Sequence, residues 1–227
     1  MKIQDHYENL ASLYLRLNGF VTLNLIIHSE EHGYEKSELD FLAVRMPLHQ
    51  QNDRNVATSE FLELPKDRIQ IIIGDSKSSA NINNVKFNNG LKDNQESIKK
   101  LLEWIGIFEI IDNALIQSIQ SHLQIEIKDF NKGFNYLDFD TAFGRYRLIV
   151  LFFCPTQSSS NDGEMKYVHG QEMIDYCWKC LNKEHEPDEC NRTYSLKHWH
   201  ELKPYVAYFK ETEFAGTIDE FNAKFQN

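Results

Sequence analysis

The sequence predicts an α/β protein, a central β-sheet flanked by helices, with a helical C-terminal extension. Three observations carry this. Ile69–Ile73 is a β-branched run too short for a buried helix, the signature of a core strand. Two further strand-like runs precede it, and an amphipathic helix precedes those. Arg145–Cys154 is the most apolar stretch of the chain and reads as a strand buried on both faces, separated from the first three by helical periodicity.

Residues 5–18 carry Leu10, Leu13, Tyr14 and Leu17 as an apolar stripe and end at Asn18-Gly19, a helix stop. Asp5 with Glu8 three residues later reads as a capping box. Phe20–His28 follows as a strand, a polar turn covers 29–37, and Leu39–Met46 forms the next strand, stopped by Pro47. Asp40 opens that otherwise apolar run. Residues 47–68 are irregular apart from a short element at Phe61-Leu62. The Ile69 strand then closes on Asp75 and Lys77, whose spacing of two puts both side chains on one face.

Asp93–Glu96 starts a helix with Ile98, Leu101, Leu102 and Ile105 on one side. Asn94 and Gln95 read as helix-start residues. Gly106 breaks the helix, and Phe108–Leu123 reads as the next one. Residues 156–163 form a polar, Ser-rich loop, which divides the chain into a core over 1–155 and an extension over 164–227 packed on it, the two forming one continuous domain if that loop is only an excursion. In the extension, Tyr205, Val206 and Phe209 read as packing residues, and Thr217 with Glu220 caps a last short helix.

The first 80 residues thus give helix, strand, strand, strand, with Glu8, Asp40, Asp75 and Lys77 at the element ends. In this the chain resembles the PD-(D/E)xK restriction-endonuclease-like nucleases. Glu8–Leu15 is similar to the acid-bearing helix of that family, Ser37–Arg45 to the aspartate element and Ile71–Ser78 to the (D/E)-x-K element. Leu39 stands where a proline is common, and Asp75 where glutamate is more frequent. The resemblance implies a mixed β-sheet in αβββαβ order and hydrolysis of phosphodiester bonds, of DNA first and RNA second, in restriction or phage defence. It implies Mg²⁺ or Mn²⁺ held by Glu8, Asp40 and Asp75, with Lys77 orienting the attacking water or stabilising the phosphorane. A homodimer or a partner subunit is in keeping with it. The alternative is a catalytically degenerate nuclease fold acting as a binding or assembly subunit.

Of 227 residues, 41% are hydrophobic and 26% charged, the composition of a globular protein. The longest apolar runs fall short of the roughly 20 residues that span a bilayer, and the N-terminus has no signal-peptide pattern. The expectation is a cytoplasmic protein with no membrane partner. A net charge of −10 runs against nucleic-acid binding, but acids gathered around metal ions contribute to it.

Cys177, Cys180, His185 and Cys190 have the C-x2-C-x4-H-x4-C spacing of a zinc knuckle, which would make the chain a nucleic-acid-binding protein. Leu181 and Glu184 stand where such a turn needs glycine. Ile174, Trp178 and Leu181 recur at helical spacing, so Cys177 and Cys180 read as core packing in a helix. Arg192, Lys197, His198, His200 and Lys203 form the richest basic cluster, read as a solvated helix face.

Overall fold

A computed structural model describes residues 3–28, 35–50, 56–79, 81–127, 133–159, 166–182 and 196–225. Helix α1 (Ile3–Leu17) leads into a hairpin of β1 (Val21–His28) and β2 (Glu35–Arg45), and β3 (Ile69–Ser76) follows. A short helix α2 (Asn89–Lys92), then α3 (Gln95–Ile105) and α4 (Asn113–Gln124), separate β3 from β4 (Asn135–Thr141) and β5 (Gly144–Cys154). A two-residue β6 (Val168–His169) runs into α5 (Gly170–Leu181), and α6 (Lys203–Glu211) and α7 (Ile218–Phe225) complete the described chain.

The mixed sheet has six strands in the order β1-β2-β3-β5-β4, with β6 extending along the end of β5. β1, β2 and β3 are antiparallel in turn, β3 and β5 are parallel, and β4 returns antiparallel to β5. Parallel neighbours need a crossover, which α2, α3 and α4 supply.

Side chains alternate along each strand, and the sheet therefore has two cores. Ile72, Ile149, Leu151 and Phe153 point to the face covered by α1, α5, α6 and α7. Ile71, Ile73, Leu148, Val150 and Phe152 point to the face covered by α3 and α4. The C-terminal helices share the first core with α1, and the Nδ1 of His6 lies 2.6 Å from the Tyr205 hydroxyl. A half-buried carboxylate ties the same layers together. Glu172 of α5 accepts hydrogen bonds from the Tyr14 hydroxyl of α1 (2.8 Å) and from Ser59 Oγ, which caps the 3-10 turn Glu60–Leu62.

Several expected elements shift. The first helix starts before Asp5, which lies in its first turn, so the Asp5–Glu8 capping box does not form. Phe108–Ile111 is not helical. Asp112 Oδ1 accepts from the Leu115 amide and caps α4, which leaves Ile107 buried in a loop. Strand β4 has no counterpart in the expected element order. Asn94 caps α3 through the Ser97 amide, and Gln95 bonds Gln120, so both are structural. Thr217 and Glu220 form the expected reciprocal box, with bonds of 2.7 and 3.2 Å.

Candidate active site

Asp75 is the last residue but one of β3, and it is 4% exposed. Being in step with Ile71 and Ile73, it points to the α3/α4 face. There its Oδ2 accepts the Asn88 backbone amide at 3.0 Å and meets the ammonium of Lys77 at 2.7 Å. Lys77 continues the parallel pairing, its amide donating to the Phe153 carbonyl at 2.8 Å. The spacing of two thus brings acid and ammonium together on one face, as the sequence predicts.

Asp40 reaches the same strand end by a β-bulge. Leu23 pairs with Leu42 and Leu25 with Leu39, so Asp40 and Phe41 together oppose Asn24. A bulge re-aims one side chain without disturbing the flanking ones, and Leu39 and Leu42 accordingly enter the same core while Phe41 enters the other. The β2–β3 ladder ends at Phe41–Gly74, with Asp40 and Asp75 the next residues of each strand. Asp40 Oδ2 accepts the Ser76 amide at 2.8 Å.

Glu8 lies half-buried on α1, over the opposite face of the sheet from Asp75. Its Oε1 accepts from Gln4 Nε2 at 3.1 Å, and the same amide nitrogen donates to the Ser76 carbonyl at 3.2 Å. Burial pushes the Glu8 carboxyl up, the Gln4 bond pulls it back, and Asp40, Glu38 and Asp5 push it further. Burial pushes Asp75 up to about 7; Lys77 pulls against this, and Asp40 adds to it. Desolvation outweighs the ion pair because the ammonium touches only one oxygen of a nearly enclosed carboxylate. Asp40 is therefore the common neighbour of two acids that approach it from opposite faces.

That arrangement explains why no group of three His, Cys, Asp or Glu side chains among the described residues is gathered to hold a metal ion. The donor set still suits a hard cation. Mg²⁺ takes one or two carboxylates and keeps several waters, and Asp40 with Asp75, Asp40 with Glu8 and the Ser76 carbonyl are all oxygen donors. Ser76 Oγ is buried and has no hydrogen-bond partner among the described residues.

Clefts open on both sides of the acids. One, of about 590 Å³, runs from Glu8 past Asn9, Arg16 and Asn24 to His200. The other, of about 750 Å³, is lined by Lys77, Ser79, Asn84, Lys86 and Asn88. Asn88 also spans the two strands, its Nδ2 donating to the Glu38 carbonyl at 2.9 Å. Cys154 is buried beside Asp75, and burial with that neighbouring charge pushes its thiol up.

Cys177 and Cys180 lie buried in α5 within the first core. His185, Cys190 and Arg192 fall outside the described residues. Lys197, His198, His200 and Lys203 are exposed.

Gln4 and Asn88 are absent from the expected site. Gln4 is one helical turn before Glu8, a spacing that places both on one face and would have found it. Asn88 is the N-cap of α2, its Oδ1 accepting the Gly90 amide, so its identity marks a helix start and not the site. Comparison with family models, curated proteins and solved structures returns no match.

Proposed function

We propose that this protein is a metal-dependent nuclease of the restriction-endonuclease-like kind, hydrolysing phosphodiester bonds of DNA. The observation that carries this is the convergence of Asp40 and Asp75 at adjoining strand ends, with the Lys77 ammonium 2.7 Å from Asp75 and Glu8 approaching Asp40 from α1. The order of α1, three antiparallel strands, crossover helices and a parallel β5 fits the same reading.

Asp40 and Asp75 would hold Mg²⁺, with Glu8 completing its shell or sharing a second ion through Asp40. A bound divalent ion neutralises phosphate charge and lowers the pKa of a coordinated water. The chain's own contribution is positioning. Lys77, half-buried at the mouth of the larger cleft, offers a charged donor to the attacking water or to a non-bridging phosphate oxygen. Asn88 holds Asp75 from behind through its backbone amide, and the bulge holds Asp40 beside it. Lys86 and the asparagines of that cleft are suited to contact sugar and phosphate.

The test is incubation of the protein with supercoiled plasmid, linear duplex, single-stranded DNA and RNA, each with Mg²⁺, Mn²⁺ or EDTA, with Asp75→Ala in parallel. Expected is cleavage of a DNA substrate that EDTA and the substitution both abolish. Cleavage of RNA alone would change the substrate. Failure of every substrate together with no Mg²⁺ binding would overturn the proposal. It would favour a binding or assembly subunit, a role to which the self-contained Asp75–Lys77 pair is also suited.

A further inference from the structure

Gln4 makes contacts that a solvent-facing helical glutamine would not. Its side-chain nitrogen lies between two oxygens from different elements, Glu8 Oε1 at 3.1 Å and the Ser76 carbonyl at 3.2 Å. One is an i,i+4 neighbour on α1 and the other lies 72 residues away at the end of β3. Both oxygens belong to the acid cluster: Ser76 donates its amide to Asp40, and Asp40 is the acid neighbouring Glu8. The Ser76 hydroxyl, on the α1 face of the same strand end, is buried without a hydrogen-bond partner among the described residues, so the spot has unused oxygen valence.

We propose that Gln4 is a positioning residue for a divalent cation, its amide holding the Glu8 carboxylate and the Ser76 carbonyl together as oxygen ligands. This rests on the metal-dependent reading above. A carboxylate oxygen and a carbonyl oxygen each have more than one lone pair, so the amide can orient both and leave each a lone pair for the ion. Gln4 is the hydrogen-bond donor to the Glu8 carboxylate among the described residues, and a glutamate without it loses more side-chain entropy on binding. Partners that orient metal ligands typically change affinity 10–100-fold when removed. Gln4 does not touch substrate and supplies no proton.

The experiment is calorimetric Mg²⁺ titration, repeated with Mn²⁺, of the full chain and of Gln4→Met and Gln4→Ala, with thermal unfolding of each. Methionine keeps the length and the helix propensity but has no donor, so Gln4→Met separates the hydrogen bonds from packing. Expected is roughly tenfold or greater weakening of cation binding in both variants, with melting in EDTA close to that of the unaltered protein. Affinity unchanged or tightened in Gln4→Met overturns the inference while leaving the nuclease reading standing. No cation binding by the unaltered protein overturns both. If Gln4→Ala unfolds, Gln4→Met alone decides.

Discussion

The Lys77 ammonium lies 2.7 Å from Asp75 Oδ2, and both side chains project from the end of β3 towards the same face. Apart from Gln70 and Ser76 the rest of the strand is apolar, and the pair is the only ion pair formed by Asp75 among the described residues. The ammonium is more exposed than the carboxylate, with side-chain exposures of 29% and 5%. The lysine is therefore the member of the pair that opens onto the cleft.

Lys77→Ala is expected to slow cleavage by ~10²–10³, the usual effect of removing a preorganised charged donor. The fold should persist, because the lysine lies beyond the last residue of β3. Single-turnover rates with circular dichroism check both halves. Full activity in the variant would remove Lys77 from the site.

Asp75 gives a pH signature. Its folded pKa is pushed up to about 7, above the ordinary value of about 3.9. Below about pH 4 the carboxyl is protonated in both folded and unfolded chains. Between there and pH 7 the folded chain binds the extra proton, so the group's contribution to stability falls as pH rises and levels off above 7. Urea unfolding in EDTA at pH 5 and pH 8 should show the unaltered protein losing stability relative to Asp75→Asn at the higher pH. A constant difference between the two proteins would contradict the assignment.

Glu172 makes a third case. Tyr14→Phe removes one of its two hydroxyl donors and is expected to cost about 1 kcal/mol. Glu172→Ala leaves the buried Tyr14 hydroxyl without this acceptor and is expected to cost about 1–3 kcal/mol. The double variant should fall short of the sum, since the two share one interaction. Denaturant midpoints of the three variants measure the coupling.

Cys180 is 1% exposed in an apolar core. Cys180→Ser is expected to be less stable than Cys180→Ala, because a hydroxyl is placed in that core at a cost of about 1–3 kcal/mol. Chelation should leave both unfolding curves unchanged. Zinc near one equivalent in the purified protein would instead assign Cys177 and Cys180 to a metal.

The parts of this fold legible in the sequence are those where one periodicity acts alone. Leu10, Leu13, Tyr14 and Leu17 mark α1, and Ile69–Ile73 marks β3, because burial there is decided by local pattern. β4 does carry a strand signal, Leu137 and Phe139 alternating with Asp138 and Asp140, but the run is short and lies on an edge strand whose acids are met by Arg147 and Arg145 of β5. The start of α4 is masked in the sequence because Phe108 and Ile111 are apolar for tertiary reasons and pack on the core as loop. In the site, Asp75 and Lys77 share a face by their spacing of two, whereas Asp40 and Glu8 are marked only by the family resemblance. The bulge that turns Asp40 towards Asp75 depends on a one-residue difference between partner strands, which no single strand's pattern reveals. Asn88 reaches Asp75 through its backbone amide, which leaves no mark on residue identity, while its side chain caps α2 and bonds the Glu38 carbonyl.

The contact between His6 and Tyr205 joins positions 199 apart, and α1 rests on two surfaces, one made by β1, β2 and β3 and the other by α5 and the turn at His200–Leu202. The first is built from neighbours in the chain, whereas the second closes only across most of the sequence, at a larger entropic cost. The helix that bears Glu8 is thus set against the strand ends by contacts of very unequal range, and the long-range ones are the slower to form.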